Sequence, residues 1–194
     1  MDTNNIIIRF FDKDINFLGE VDLFTSLFYI QKWESYGDFE IHFDSFNNEF
    51  FKKGNIVMLN NNPTLTGFIE HIENKRENTK DIKIKGFSLG YMFTNRISIP
   101  SHGYSYHAFN TNFEDIMYEL VKANASDPID TNRKFPNLIL NESKHRGDKT
   151  QFQTRYKCLA DELTNLSKAS GLGWRVILDP KNKKFIFEVV EVLD

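Results

Sequence analysis

The stretch Lys32–Phe43, KWESYGDFEIHF, decides how the chain is read. From Phe39 onward, apolar and polar residues alternate: Phe39, Ile41 and Phe43 fall on one side, Glu40 and His42 on the other. Side chains of an extended backbone point to opposite faces with a period of two, so this is a strand with one face buried and one face wet. Trp33, Tyr36 and Gly37 come just before it, where glycine lets the chain turn or bulge. Glu40, His42 and Asp44 share the outward face. They are read as the charged exterior of a half-exposed strand rather than the start of a catalytic site.

Working outward, the first hundred residues keep this character. Ile6–Phe11 (IIIRFF), Asn55–Asn60 (NIVMLN), Leu65–Glu73 (LTGFIEHIE) and Asp81–Leu89 (DIKIKGFSL) each read as strands. Leu23–Trp33 (LFTSLFYIQKW) is apolar on both sides and predicts a strand buried on both faces. Asn60–Pro63 is a turn signal, and the polar Asn74–Lys80 predicts a hairpin tip. Gly67 and Gly86 interrupt strand patterns, and the apolar phase changes after Gly86, which predicts a bulge there. Short, closely spaced strands with bends predict an antiparallel β-barrel or tight sandwich over residues 1–100, and the barrel is taken as the fold of this domain.

A small α+β domain is expected over residues 101–194, beyond the boundary region Ser98–His107. Asn112 is a candidate N-cap for a helix whose apolar stripe is Phe113, Ile116, Met117, Leu120 and Val121. Ser126–Lys149 is polar and irregular. A second helix carries Leu159, Leu163 and Leu166 on one face and stops at Gly171. The end, GWRVILD–PKNKK–FIFEVVEV, predicts a hairpin. The fold class is therefore mainly β with a smaller α+β part: an antiparallel barrel followed by a two-helix plus hairpin domain.

Composition removes several function classes. The chain has 194 residues, 40% hydrophobic and 26% charged, with a net charge of -3. A chain this long buries roughly 70% of its unfolded surface, so it needs no covalent staples. No basic excess points to nucleic acid, and no apolar run of the roughly 18 residues needed for a membrane helix is present. One cysteine, Cys158, allows no internal disulfide, and synthesis in a reducing cytoplasm is expected.

No chemistry-bearing constellation emerges. His102 and His107 lie in a Gly/Tyr/Ser loop without a metal-ligand pattern, and His145 is alone in a polar segment. His71 sits between Glu70 and Glu73 on a strand, and Asp115 and Glu119 share a helix face; both sets read as solvated surface. Cys158 opens a helix, where a thiolate is favoured, yet it reads as a small apolar residue. SGLGW follows a helix and precedes a strand, the reverse of a phosphate-binding loop. The expectation is no enzyme, with no catalytic, cofactor-binding or metal-binding residue.

The ordered set KWESYGDFEIHF, GNIVMLN, GFIEHIE, IKIKGFSLGYMFTNRI, FEDIMYELVKAN and YKCLADELTNLSKASGLGWRVILD resembles the siphovirus tail-hub group, related to tail-associated and prophage baseplate proteins. The resemblance implies a virion structural protein at the tail tip, a baseplate hub linking the tail tube to the tip. It implies a homotrimer in the particle, in contact with tail-tube, distal-tail or tape-measure proteins, and neither nucleic acid nor membrane as partner. Members of the group normally continue with a second barrel, and this chain matches the first barrel and the α/β part after it. The isolated chain is therefore expected to be monomeric or weakly associated. Trp33 and Tyr36 are candidates for core or interface, with core favoured for Trp33, and the Asn74–Lys80 tip for a contact with the next ring. The competing reading is a β-rich carbohydrate- or peptide-binding module, which requires an exposed aromatic platform in a groove.

Overall fold

The computed structural model describes residues 6–45, 47–75 and 81–191. The chain forms two compact units, neither continuous in sequence: one comprises Met1–Gln31, Tyr36–Leu89 and Ile177–Lys184, the other Lys32–Ser35, Gly90–Val176 and Phe185–Asp194.

The first unit is a seven-stranded antiparallel sheet. Its strands are β1 (Ile8–Phe11), β2 (Phe17–Val21), β3 (Ser26–Ile30), β4 (Asp38–Phe43), β5 (Ile56–Leu59), β6 (Thr66–Lys75) and β7 (Asp81–Ser88), in the spatial order β2-β1-β5-β6-β7-β4-β3. The alternation in β4 is realised fully: Phe39, Ile41 and Phe43 are buried, while Asp38, Glu40 and His42 stay partly exposed. With Ile8, Phe10, Phe51, Val57, Leu59, Ile69, Ile82 and Ile84 they form the core of the concave face. Gly37 is required where the chain enters β4, because a Cβ there would lie 1.7 Å from the Ile30 carbonyl oxygen.

Among the described residues no ladder joins β2 to β3, so the sheet is open where a closed barrel is expected. It is nevertheless strongly curled. A flat sheet of seven strands at ~4.8 Å spacing would hold its edges about 29 Å apart. The link from Val21 to Ser26 spans at most about 18 Å.

Two local expectations are corrected. The bulge lies in β6, not at Gly86: Ile69 pairs with Gly86 and His71 with Lys85, which leaves Glu70 as the extra residue. β7 keeps its register with β4 through Phe87, whose ring meets Tyr36 edge-on at 5.8 Å. Gly86 is needed for space, since a Cβ would lie 1.9 Å from the Phe68 carbonyl oxygen and 2.6 Å from Phe39 Cζ. The Leu23–Trp33 stretch is also not buried on both faces. Its strand, β3, is a sheet edge: Leu27 and Tyr29 pack on the core, but Phe28 and Ile30 point outward with nothing over them in this unit. The Asn74–Lys80 tip lies mostly outside the described residues.

The long middle segment of the second unit begins within a 3₁₀ stretch, Leu89–Asn95. The unit contains β8 (His107–Asn112), α1 (Phe113–Val121), β9 (Leu138–Leu140), β10 (Lys149–Thr154), α2 (Leu159–Ser170), and the paired strands β11 (Gly173–Asp179) and β12 (Lys184–Val190), whose far end belongs to the first unit. β8 and β10 pair antiparallel, and β9 adds to β12 in parallel. Asn112 caps α1 through its side chain, which accepts from the Asp115 N–H at 2.9 Å. α1 then widens into a π-helical turn, Lys122–Ser126. Gly171 ends α2 in the left-handed conformation, φ 75°. Phe93, Trp174, Phe187 and the leucines of α2 form the core of this unit. Trp33 is not a core residue: it is 38% exposed, with its Nε1 donating to the Gly171 carbonyl at 3.1 Å.

Candidate assembly surfaces

The convex face of the sheet carries a charged ladder. Strand register sets Glu40 opposite Lys85, His42 opposite Lys83, and Lys83 opposite Glu73. Glu40 is hydrogen-bonded to His42 Nε2 at 2.6 Å and lies 3.3 Å from Lys85 Nζ, which is 3.0 Å from Glu73. The His42 hydrogen bond, with help from Lys85, holds the Glu40 carboxyl below its ordinary range, and Glu73 and Glu40 raise Lys85. Cross-strand ion pairs of this sort fix register. Asp44 accepts from the Thr25 hydroxyl at 3.0 Å, so the three outward acids and bases of the opening stretch form no common site.

The two edges of the sheet and the link between them expose apolar side chains. Phe17 on β2 is 58% exposed, Leu23 in the link 80%, and Phe28 and Ile30 on β3 63% and 51%. All four lie on the two sheet edges or on the segment between them. A sheet edge presents unpaired backbone groups, and an exposed apolar edge is a template for pairing with another chain. Phe28, Ile30, Glu40, His71, Lys85 and Phe87 line a groove of about 560 Å³ on this face. The apolar character of Leu23–Trp33 was legible, but its reading as a strand buried on both faces left the exposure of Phe28 and Ile30 unforeseen, because sequence alone does not say which strand ends the sheet.

In the second unit, the structure brings His102 and His107 to one cleft of about 530 Å³, together with Glu119. Buried His107 Nδ1 has no hydrogen-bond partner, and burial lowers the pKa of this ring. Tyr104 and Tyr106, between the two histidines in sequence, are 74% and 49% exposed. His145 is apart from them, its Nδ1 2.9 Å from Asp115. Burial alone would raise the Asp115 pKa, but hydrogen bonds from Ser143, His145 and Asn112 hold it low, and Asp115 in turn raises His145. Asp115 is thus a loop anchor and not a partner of Glu119. Cys158 forms the start of α2 and a bridge to Ile97, half-buried.

Sequence reading missed Glu114. It is fully buried and receives three bonds from Arg146: from the backbone N–H at 2.8 Å, Nε at 2.9 Å and the terminal guanidinium nitrogen at 2.8 Å. The signal was present: Glu114 precedes Tyr118, Val121 and Ala125 by four, seven and eleven residues, a second buried stripe of the same helix. Among the described residues no group of three or more His, Cys, Asp or Glu side chains is placed to hold a metal ion, and no helix is long and apolar enough to cross a membrane.

An open, curled antiparallel sheet with apolar edges, in one chain with a small α+β unit, defines a mainly-β protein. The chain belongs to the Siphovirus ReqiPepy6 Gp37-like protein family, whose profile matches residues 7–194. The sequence-level resemblance to siphovirus tail proteins is upheld. Among solved structures it is similar to prophage tail protein gp18 from Listeria monocytogenes, at 14% identity and a TM-score of 0.56, over 95% of this chain and 50% of that one. It also matches the E. coli c3393 protein, a type VI secretion component described as similar to T4 tail proteins gp27 and gp5, at 10% identity and a TM-score of 0.48, over 96% and 45%. A tail protein from Neisseria meningitidis matches at 13% identity and a TM-score of 0.46, over 94% and 45%. The chain thus spans about half the length of these proteins. No curated protein matches it.

Proposed function

We propose that this chain is a structural component of the phage tail tip, a baseplate-hub protein that joins the tail tube to the tip and acts without catalysis. The observation that carries this reading is the exposure of Phe17, Leu23, Phe28 and Ile30 on the two sheet edges and the link between them. Neighbouring subunits would remove these side chains from water, and the family membership supplies the tail setting. In the particle the chain works as part of a trimer, against tail-tube, distal-tail or tape-measure proteins. Obligate contacts of this kind bury on the order of 2,000 Å² or more, so the isolated chain is expected to be monomeric or weakly associated. The test is to locate the chain in purified virions by antibody labelling and to repeat it with Phe28→Asp/Ile30→Asp. The reading requires label at the tail tip and failure of the folded double variant to enter particles. Virions without the chain, or particles that form normally with the variant, would overturn it.

A second reading, a carbohydrate- or peptide-binding module, draws support from exposed Tyr104 and Tyr106 beside the cleft that His102 and His107 line. It requires glycan binding by the purified chain that is lost in Tyr104→Ala/Tyr106→Ala.

A further inference from the structure

We infer that the outward face of the β8–β10 ribbon binds an acidic polysaccharide, a chain of sugar rings that carry carboxylates. The inference rests on the carbohydrate-binding reading for the class of ligand. It assigns that ligand a surface apart from the cleft that His102 and His107 line.

Strand register builds the face. Among the described strands β8 and β10 pair only with each other. Exposure alternates along both: Ala108 and Asn110 of β8 and Lys149, Gln151 and Gln153 of β10 are exposed, while Phe109 and Phe152 share the other side with ring centroids 6.2 Å apart. Gln151 lies opposite Asn110 and Gln153 opposite Ala108. Three side-chain amides therefore stand together on the outward side. Just past the strand, the Arg155 guanidinium lies 4.8 Å over the exposed ring of Tyr156.

These groups are not committed elsewhere. Among the described residues the amides of Asn110, Gln151 and Gln153 make no hydrogen bond to the protein, and Lys149, Arg155 and Lys157 take part in no ion pair, not even with neighbouring Asp148. The acids of α1, which packs against the ribbon, are held by other groups: Glu114 by Arg146, and Asp115 by Asn112, Ser143 and His145, while Glu119 lies 4.0 Å from Lys122. Acids are also missing locally from the sequence. Ser98–Asn112 and Lys149–Ala160 contain no aspartate or glutamate, although the chain has 27. The three cations of the ribbon thus lack an internal counter-charge.

The charge selects an anion, and the rest of the face selects its kind. Protein partners are anchored by large apolar or aromatic side chains, and among the amides the only apolar group is Ala108. Single-stranded nucleic acid stacks its bases on a row of aromatic rings, and the centre of this face has none. Duplex DNA is held by many phosphate contacts, commonly roughly 6–10. Three cations in a chain of net charge -3 fall short of that. A polysaccharide meets every feature. Its hydroxyls donate and accept as the amides do, and a sugar ring can lay its C–H face on Tyr156. Carboxylates on the chain reach Lys149 and Arg155, which are on the order of 20 Å apart along the strand, so the ligand is an oligomer.

The test measures binding of hexagalacturonate to the full chain. Maltohexaose is its neutral counterpart, inorganic polyphosphate a plain polyanion, and a short DNA duplex the nucleic-acid control. Hexagalacturonate should bind, shift the NMR amide signals of Ala108–Asn110 and Gln151–Tyr156, and weaken with added salt. Gln151→Ala/Gln153→Ala should lose roughly tenfold in affinity. Lys149→Gln/Arg155→Gln should bind weakly and lose the salt dependence. All four positions are exposed, circular dichroism checks that the variants are folded, and Gln151→Ala alone is the milder form. Absence of binding, equal binding of maltohexaose or polyphosphate, tighter binding of the duplex, or unchanged affinity in Gln151→Ala/Gln153→Ala would overturn the inference. If Tyr104→Ala/Tyr106→Ala abolishes glycan binding while the ribbon variants keep it, the ribbon assignment falls and the cleft reading stands. If the ribbon variants lose binding and the tyrosine variant keeps it, the ribbon stands and the cleft falls. Neither result moves the tail reading, which the location of the chain in virions decides.

Discussion

Replacing Glu114 by Gln tests whether the second unit is held by the buried clamp on Arg146. The substitution keeps the side chain's shape and removes its charge. In the native protein the carboxylate has no exposure to water and takes three bonds from Arg146, while the same guanidinium donates to the Val189 carbonyl at 2.7 Å. One interaction therefore ties α1, the 141–149 segment and β12 together. Neutralising one partner of a buried pair costs about 3 kcal/mol, the lower end of the usual range, because Glu191 still lies 3.5 Å from Arg146. Both tryptophans, Trp33 and Trp174, belong to the second unit, so tryptophan fluorescence during urea unfolding reports the unit that contains the pair. With a urea slope of roughly 1.5 kcal/mol per M, the midpoint should fall by about 2 M. A shift below about 0.5 M would refute the assignment of the clamp as a main support of this unit. Glu114→Leu/Arg146→Met should recover much of the loss, because apolar replacement of both members of a buried pair is often close to neutral.

The same pair fixes a pH dependence. Burial by itself would raise the Glu114 pKa, but the Arg146 side chain and backbone N–H outweigh it and hold the carboxyl below its ordinary value. A carboxyl depressed by folding contributes stability that is complete above its unfolded pKa and lost as pH falls through the folded one. The wild-type midpoint should drop as pH falls below about 4.5. The Glu114→Gln protein should lack that part of the slope.

Two further outcomes follow from local geometry. Gly86→Ala should lower the stability of the first unit by about 2 kcal/mol or more, read as a fall in its melting temperature, because the new methyl has to displace backbone as well as the Phe39 ring. His145 should titrate above an ordinary histidine by NMR, because Asp115 favours its protonated form, and Asp115→Asn should return it towards the usual value. The linkage has the opposite sign to that of Glu114: the contribution of His145 is present below its unfolded pKa and disappears as pH rises through the folded one.

The strands legible in the sequence are those whose pattern is set by one buried face. β4 alternates because its inner side meets the core and its outer side meets a ladder of charges, and both helices announce themselves through the Asn112 cap and the Gly171 stop. Position within the sheet is not legible in the same way. β3 carries as many apolar residues as a central strand, yet it is an edge, because its rank depends on which distant segments pair with it. β8, β9 and β10 escaped notice because they are short or polar: β10 is KTQFQT, with Phe152 its only large apolar residue. The Glu114–Arg146 clamp joins residues 32 apart, and neither shows its partner locally. A cleft beside β2 is lined by Lys181 and Lys183 from the opposite end of the chain, and local reading does not bring those lysines to Phe17.

The openness of the sheet and its curvature have a common physical origin. The Phe39 ring occupies the inner face where Gly67 and Gly86 lack side chains; a Cβ at either position would come within 2.7 Å of it. Tyr29 lies parallel to that ring at 6.1 Å and donates to the Thr66 carbonyl at 2.8 Å, so β3 is bound over the glycines as well. The extra residue Glu70 sits in β6 beside Gly86, and bulges increase local bend and twist. Curvature is thereby concentrated in β6, β7 and β4, close to the β3 end of the sheet. That bend lets a short link connect strands at opposite ends of the order. It does not seal them: Thr25, the last residue of the link, gives its N–H to the His42 carbonyl of β4 at 2.9 Å, which commits the start of β3 to its other neighbour. Sealing would consume the backbone groups of both edges within one chain. Unsealed, the sheet ends in two unlike edges among the described strands, β3 with Phe28 and Ile30 exposed and β2 with Phe17 exposed.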